Sequence, residues 1–366
     1  MSDSNAPLIP RPGIMEIAPY VPGEAKIAGH ANPAKLAANE NALGPGADAI
    51  SAYRDGADSL HRYPDSGAAT LTQAIANAHG LDASRIVCGA GSDEILALLG
   101  RAYAGPGDEV LYTTHGFLMY PIIARSVGAT PVQAPEKDLI ANVDNLLAAV
   151  TGKTRIVFLA NPNNPTGTMI PGTELRRLRA GLPDNALLVI DAAYAEYVDD
   201  PAYEDGAALV DNGQNTVMTR TFSKIHGLAA LRLGWCYAPA DVIGVLHRIR
   251  GPFNVTAPAI AAGAAAIADA GHVERSRVHN KIERKRLRDQ LAQLGLSGPE
   301  SHGNFLLIQF DDPDQAEAAL KAMNAGGVIP RRVAGYGLPE SLRITVGTAV
   351  ENDAVVTAFT DFIGVS

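Results

Sequence analysis

From Arg85 onward, short apolar runs typical of strands alternate with segments of helical periodicity. This alternation is typical of βαβ units, in which a helix connects two parallel strands of one sheet. The chain is therefore predicted to contain an α/β domain with a mainly parallel sheet, and the loops after its strands are where a ligand is expected. The predicted strands are residues 86–88, 109–112, 155–159, 186–190, 216–219 and 233–237, and the predicted helices include 95–99, 117–127, 172–180 and 202–210.

The segments on either side of this domain have a different character. Six prolines between residues 7 and 33 exclude a long helix there, so the opening segment is predicted to be an extended arm. Past Gly251-Pro252, long helical patterns precede two strands and two further helices. The expected organisation is an arm (1–40) packed on the small domain or on a partner subunit, a large domain (41–251) and a smaller α+β C-terminal domain (252–366).

The composition excludes several classes of function. The 366 residues are 47% hydrophobic and 19% charged, with a net charge of −9, so there is no basic footprint for nucleic acid or an anionic membrane. No apolar run reaches the roughly 18 residues of a membrane span. Cys88 and Cys236 lack metal-site spacing, and the first residues lack the pattern of a signal peptide. A cytoplasmic protein without a bound metal is expected.

One lysine, Lys224, follows the strand predicted at 216–219 and lies among hydroxyl side chains. Burial, or a nearby cation such as Arg232, favours the neutral amine that can form a Schiff base. Thr221, Ser223 and Arg232 supply the hydroxyls and guanidinium that bind a phosphate dianion. This combination suits pyridoxal phosphate, which carries an aldehyde and a phosphate. By itself, however, Ser-x-Lys is more often an ordinary lysine after a strand.

A second candidate phosphate contact is the turn Gly89-Ala90-Gly91-Ser92, which connects a predicted strand to a predicted helix. Backbone N–H groups and the Ser92 hydroxyl at such a turn can bind phosphate. A Rossmann dinucleotide site is the competing interpretation. Its fingerprint requires a third small residue where this chain has Glu94, which argues against it.

An acid and an amide end two other predicted strands. Asp191 follows an apolar run, and a carboxylate there needs a partner to stay ionised; a protonated pyridine nitrogen is one. Tyr194, three residues on, can donate to the phenolic oxygen of such a ring. The rigid turn 161–167 can direct an amide side chain into the same site. The alternative for Asp191 is an exposed acid that caps a helix, and the alternative for the turn is a purely structural connection.

Arg343 lies inside an apolar strand pattern. A buried arginine nearly always has an anionic partner, either a substrate carboxylate or phosphate or a structural acid. Arg331 and Arg332 are interpreted as surface charges, either of which could assist. Phe117 could stack on a flat ring, although an aromatic residue near a helix start more often belongs to the core.

Together and in this order, these motifs resemble the fold-type I pyridoxal-phosphate aminotransferases. Within that group the chain is similar to the histidinol-phosphate aminotransferases, and the resemblance extends from about Pro19 to Thr348. The motifs that carry it are Pro19–Gly23, Asn39–Asn41, Arg62–Pro64, Gly91–Glu94, Asn163–Gly167, Asp191–Tyr194, Thr221–Lys224 with Arg232, and Leu342–Thr348.

The resemblance implies a role for each candidate residue. Lys224 would bind the cofactor covalently and transfer the proton, and Asp191 would pair with the pyridine nitrogen. Asn164 and Tyr194 would bond the ring's O3′, with Phe117 on the ring face. The phosphate would be bound by Gly91, Ser92, Thr221, Ser223 and Arg232, and by Tyr63 from the partner subunit of a homodimer. The substrate would be bound by Tyr20, Asn39, Arg343 and Arg331.

The implied reaction is L-histidinol phosphate + 2-oxoglutarate = imidazole acetol phosphate + L-glutamate, in histidine biosynthesis. An aromatic amino acid aminotransferase acting on phenylalanine or tyrosine is the alternative, because it needs the same catalytic residues. Ile225 directly after the lysine, and Phe117 where tyrosine is common, depart from the family pattern. Both departures bear on specificity, since neither removes a charged or catalytic group.

Overall fold

The structure is a computed structural model that describes residues 8–19, 26–27, 29–213 and 215–364. Its α-helices are α1 (Ala47–Asp55), α2 (Ala69–His79), α3 (Ser92–Tyr103), α4 (Met119–Val127), α5 (Val143–Ala148), α6 (Gly172–Gly181), α7 (Ala207–Asn212), α8 (Ala240–Ile249), α9 (Ala257–Ala268), α10 (Ala270–Gln293), α11 (Pro313–Ala325) and α12 (Ala349–Ile363). Its strands are β1 (Ala34–Lys35), β2 (Ile86–Gly89), β3 (Glu109–Thr113), β4 (Thr130–Ala134), β5 (Thr154–Ala160), β6 (Leu187–Asp191), β7 (Thr216–Thr221), β8 (Gly234–Tyr237), β9 (Phe305–Gln309), β10 (Val328–Ile329), β11 (Arg331–Arg332) and β12 (Ser341–Thr345).

Seven strands form the central sheet, in the order β2-β8-β7-β6-β5-β3-β4. The five strands β3, β4, β5, β6 and β7 are parallel to one another, and β8 runs antiparallel to both β7 and β2. The prediction of an α/β fold with a mainly parallel sheet is confirmed. Because parallel strands point the same way, the loops after β5, β6 and β7 meet at one edge of the sheet.

Helices cover both faces of this sheet, so its strands are buried on both sides. Successive residues of one strand belong to different cores: Val217 belongs to the core that includes residues of α3, α4 and α8, whereas Met218 belongs to the core that includes residues of α2 and α9. Burial on both faces explains why the strands read as continuous apolar runs rather than alternating ones.

The C-terminal part of the chain has its own small core. Strands β11, β12 and β9 form an antiparallel sheet in that order, and β1 pairs in parallel with β10. Leu36, which directly follows β1, packs with Leu342, Ile344 and Phe359 in this core. The segment before α1 is thus attached to the C-terminal part. Helix α9, the first helix after residue 252, packs on α1 and α2.

A helix that spans a membrane needs about 18 or more predominantly apolar residues. Within the described ranges, no helix is both long and apolar enough to span a membrane.

Candidate active site

A cleft with two adjoining compartments lies beyond the carboxyl ends of β6 and β7. The inner compartment has a volume of about 240 Å³ and the outer one about 690 Å³. Lys224, Tyr194 and Asn164 line both. The strand ends supply the inner walls, and residues of β1, β11 and β12 supply part of the outer ones. The cleft therefore lies between the central sheet and the C-terminal part of the chain.

Lys224 is half-buried, three residues after the end of β7. Its Nζ donates to the carbonyl oxygen of Ala38 at 2.9 Å and lies 5.8 Å from the ring centre of Tyr194. Withdrawal from water, and then the Arg343 cation, lower the pKa of Lys224 to about 8. A substantial fraction of its amine is therefore neutral near pH 8, as a nucleophilic lysine requires.

Asp191 is the last residue of β6 and lines the inner compartment. Its Oδ2 accepts a hydrogen bond from the Tyr120 hydroxyl at 3.0 Å, and its Oδ1 accepts one from the Thr219 hydroxyl at 3.4 Å. Burial raises the pKa of Asp191 to about 6. Among the described residues, no cation forms an ion pair with it. A cationic ring nitrogen in the inner compartment would compensate its buried charge.

Arg232 supplies a cation at the other side of the inner compartment. It adopts a left-handed backbone conformation, with φ of +50°, and its Nη1 donates to Ser223 Oγ at 3.2 Å. Its Nη2 lies 3.3 Å from Asp93 Oδ2. The Thr221 hydroxyl accepts from the backbone N–H of Ser223 at 3.0 Å. Hydroxyls and a guanidinium thus converge, as a phosphate requires.

The turn between β2 and α3 completes this cationic corner. Gly91 has φ of +85°, and a Cβ built there would lie 2.5 Å from Arg232 Nη2. Ser92 is the first residue of α3, so it and the positive end of the helix dipole lie beside the guanidinium. A side chain here would have to displace the guanidinium, and the backbone, with ψ of 162°, has a conformation that is essentially restricted to glycine.

Five side chains form two hydrogen-bonded groups between the compartments and the C-terminal part. Asn39 Nδ2 donates to the Tyr194 hydroxyl at 2.9 Å, and Asn39 Oδ1 accepts from Thr345 Oγ1 at 3.1 Å. Arg343 donates through Nη2 to the Ala37 carbonyl at 2.6 Å and through Nη1 to Asn164 Oδ1. Arg343 Nε is buried without a hydrogen-bond partner among the described residues.

The structure places the remaining predicted residues at different distances from the cleft. Phe117 and Arg331 line it, Phe117 in both compartments and Arg331 in the outer one. Tyr63 lines neither compartment. The residue is 82% exposed, and its ring stacks on that of Phe253 with the centroids 4.5 Å apart. Tyr20 lies outside the described residues.

Sequence reasoning missed several residues that support the site. Tyr120 lies three residues after Phe117, and that spacing on a helix could have indicated a shared face. Thr219 is the register partner of Asp191 on β7, a pairing that depends on strand order. The Ala38 carbonyl, which accepts from Lys224, gives no side-chain signal at all.

The residues present fit pyridoxal phosphate in three separate chemical respects. An amine with a lowered pKa matches its aldehyde, and a guanidinium with hydroxyls at a helix start matches its phosphate. Asp191, a buried acid without an ion-pair partner among the described residues, matches its ring nitrogen. All three lie around one compartment. In the described part of the chain, no three metal-ligating side chains come together.

Comparisons with known proteins agree with this chemistry. The family model for aminotransferase class I and II matches residues 31–359. The histidinol-phosphate aminotransferase of Paramagnetospirillum magneticum is 57% identical over 97% of this chain and 98% of its own length. That of Rhodospirillum rubrum is 55% identical over 97% and 96%. The crystal structure of histidinol-phosphate aminotransferase from Sinorhizobium meliloti with pyridoxal-5'-phosphate has a TM-score of 0.89 and 28% identity, with 99% of each chain covered.

Proposed function

Since this chain belongs to the class I and II aminotransferases, we propose that it transfers the amino group of L-histidinol phosphate to 2-oxoglutarate in histidine biosynthesis. The products are imidazole acetol phosphate and L-glutamate. Relatives named histidinol-phosphate aminotransferase are more than 50% identical to this chain over nearly its full length. The observation that carries the proposal is the placement of Lys224, Asp191 and Arg232 around one compartment, with further arginines in the adjoining one.

The chain's residues divide the chemistry among themselves. When bound, pyridoxal phosphate supplies the carbonyl that takes up the amino group and the ring that delocalises charge from the adjacent carbon. We assign covalent attachment of the cofactor to Lys224. Once the substrate's amino group has replaced the lysine on the cofactor, the freed, neutral Nζ would take the proton from the substrate carbon and return it. Asp191, ionised at the floor of the compartment, stabilises a protonated ring nitrogen. Arg232, Ser223 and Thr221 bind the phosphate.

The outer compartment supplies cations for the substrate's own anion. Arg343 and Arg331 are register partners on β12 and β11, and directly opposed residues of an antiparallel pair project from the same face. Both line the compartment, as does Lys35. We propose that the arginines bind the phosphate of histidinol phosphate and a carboxylate of glutamate in turn, because a guanidinium can bind either in bidentate fashion.

An assay of amino-group transfer tests this proposal. The purified protein should form glutamate from 2-oxoglutarate with histidinol phosphate, and faster than with phenylalanine or tyrosine. Preference for the aromatic amino acids would instead identify an aromatic amino acid aminotransferase that uses the same catalytic residues. Borohydride reduction of the yellow enzyme should attach the cofactor to Lys224; attachment to another lysine would contradict the assignment.

We propose further that two copies form a homodimer in which Tyr63 of the partner subunit reaches the phosphate site. Tyr63, Phe253 and Leu60 are 82%, 44% and 66% exposed, and Tyr63 lines neither compartment of its own chain. An exposed stacked aromatic pair is typical of a surface that another protein covers. In such a dimer, the Tyr63 hydroxyl of one chain would complete the phosphate site in the inner compartment of the other chain.

Subunit mixing tests the shared site. Lys224→Ala should be inactive and Tyr63→Phe should bind the cofactor weakly. In a mixed dimer, one of the two sites then contains both native residues, so mixing should restore part of the activity and cofactor retention. Tyr53→Phe, a change at another exposed tyrosine, is the matched control and should retain cofactor. Exchange of subunits without recovery would contradict sharing, and a monomer in solution would contradict the dimer itself.

We propose the domain division suggested by the sequence, with an arm up to residue 40, a cofactor domain from 41 to 251 and a smaller domain from 252. The first helix after residue 252, α9, packs back on α1 and α2 of the cofactor domain. The seven-stranded sheet lies within residues 86–237 and the three-stranded sheet within 305–345, which supports two sheet-based units. The contact of Leu36 with the C-terminal core supports an arm that packs on the smaller domain.

A further inference from the structure

Tyr120, which contacts Asp191, is held in place by aromatic packing on several sides. Tyr120 is fully buried in the second position of α4, and its hydroxyl lies 3.0 Å from Asp191 Oδ2. Its ring stacks on Phe158 with centroids 4.7 Å apart and planes 7° from parallel. The edges of Phe117 and Tyr112 pack around it at 5.8 and 6.1 Å. The position of the hydroxyl is therefore fixed by packing on several sides.

The carboxylate of Asp191 depends on such donors. Burial favours its protonated form, and the Asp93 charge acts in the same direction. The Tyr120 hydroxyl, the Thr219 hydroxyl and the backbone N–H of Ala193 oppose this, because hydrogen bonds donated to a carboxylate favour the ionised form. Tyr120 and Thr219 bond different oxygens, so together they define the plane of the group.

Other titratable groups face this carboxyl from the elements around it. Lys224 and Arg232 line the same compartment, and the phenols of Tyr194 and Tyr203 lie close enough for the Asp191 charge to raise their pKa values. Of the described side chains around Asp191, two donate hydrogen bonds to it, and Tyr120 makes the shorter bond. Its removal should therefore affect the carboxyl more than the loss of Thr219.

We propose that Tyr120 is a positioning residue for the transamination: its hydroxyl keeps the Asp191 carboxylate ionised and aimed at the cofactor ring nitrogen. The inference rests on the role proposed for Asp191. Phe117 lies three residues earlier, and its ring contacts that of Tyr120. The start of α4 would therefore position both Phe117, on the face of the cofactor ring, and Tyr120, which supports Asp191 at the ring nitrogen. The consequence is a tyrosine that acts on the cofactor without touching it.

The test compares Tyr120→Phe with Tyr112→Phe in the full-length protein. Both changes remove one buried phenolic hydroxyl from the same aromatic cluster, but Tyr112 has no hydrogen bond to Asp191. Hydrogen bonds to charged groups are worth enough that Tyr120→Phe should weaken cofactor binding about tenfold or more. The dissociation constant of pyridoxal phosphate is measured by fluorescence, and the pKa of Asp191 by the infrared band that Asp191→Asn removes.

The expected result is a higher pKa of Asp191, weaker cofactor binding and a lower kcat with little change in KM, in Tyr120→Phe alone. Thr219→Val should produce the same changes more weakly. The inference is overturned if Tyr120→Phe folds, by circular dichroism, and leaves the Asp191 pKa and cofactor affinity unchanged, or if Tyr112→Phe alters them equally. The Asp191 pKa and the cofactor affinity are both measured without a substrate, so an enzyme that rejects histidinol phosphate would refute the proposed function and leave this inference standing.

Discussion

At the scale of single residues, Arg343 links the cofactor compartment to the substrate compartment. Its guanidinium donates to the Asn164 side chain and to the Ala37 carbonyl, and its charge is the second contribution, after burial, to the lowered pKa of Lys224. A compact ammonium has all its donors on one nitrogen, so it cannot span two separated acceptors as the planar guanidinium fork does. The shape of this residue, as well as its charge, should therefore matter.

Arg343→Lys should lower kcat/KM about 10- to 100-fold for both histidinol phosphate and glutamate, since charge-assisted hydrogen bonds are worth about 1.5–3 kcal/mol each. Arg332→Lys is the matched control. That residue belongs to the strand paired with β12, but its side chain is 62% exposed and pairs with Glu317. Steady-state kinetics with each substrate check the prediction. Equal, small effects of both substitutions would show that Arg343 has no special contact with substrate.

At the scale of elements, the turn between β2 and α3 shows how the backbone makes room for the phosphate. Gly91 precedes α3 with φ of +85°, and the Arg232 guanidinium occupies the space where a Cβ would stand. A second glycine with positive φ, Gly80 after α2, has φ of +66° and ψ of 34°, the left-handed helical region, and open space around it, whereas ψ of Gly91 is 162°. Gly80 therefore serves as a control for an alanine with positive φ that meets no neighbouring atom.

Gly91→Ala should weaken pyridoxal phosphate binding strongly, because the new methyl group displaces Arg232 as well as straining the backbone. Gly80→Ala should show the strain alone, about 1 kcal/mol of unfolding free energy, with cofactor binding unchanged. Fluorescence titration and chemical denaturation measure the two effects. If both variants bind cofactor equally well, the close approach at Gly91 has no role in forming the phosphate site.

The sequence predicted elements better than it predicted their ends and contacts. The strand pattern and the order of loops placed Lys224, Asp191 and Arg232 correctly around one sheet edge, because apolar runs and strand ends are local signals. The helix predicted from residue 202 is observed only as α7, which begins after Gly206 with φ of +95°. The hydrogen bonds of Asn39 to Tyr194 and Thr345 connect distant segments, so no local pattern could reveal them.

At the scale of the whole molecule, a buried cluster of charge and imidazole lies behind the Lys224 loop. Arg220 on β7 pairs with Glu196 at 2.9 Å and with Asp205 at 2.7 Å. Burial, and then the Arg220 charge, lower the pKa of His79 to about 4 and that of His226 to about 3. A fold that contains neutral buried histidines is weakened wherever the unfolded chain can protonate them.

The apoprotein should therefore lose unfolding free energy as the pH falls from about 6.5, the ordinary histidine pKa, toward 4. In that range the unfolded chain binds protons that buried His79 and His226 do not. Burial raises the pKa of Asp191 from 3.8 to about 6, so between these two pH values Asp191 is protonated in the folded state and ionised in the unfolded chain. This proton offsets the proton that the unfolded chain binds at one of the two histidines. The net slope should be about 1 kcal/mol per pH unit, as one uncompensated group gives at most about 1.4.

Denaturant titrations at several pH values and constant protein concentration measure this slope. The double variant His79→Gln, His226→Gln should show a flatter or inverted dependence, because the unfolded chain no longer gains those two protons while Asp191 still protonates in the folded state. His61→Gln, at an exposed histidine, is the control and should keep the wild-type slope. The comparison uses slopes, so a general loss of stability from replacing buried rings does not affect it. A double variant with the wild-type slope would mean that other groups govern the acid sensitivity of the fold.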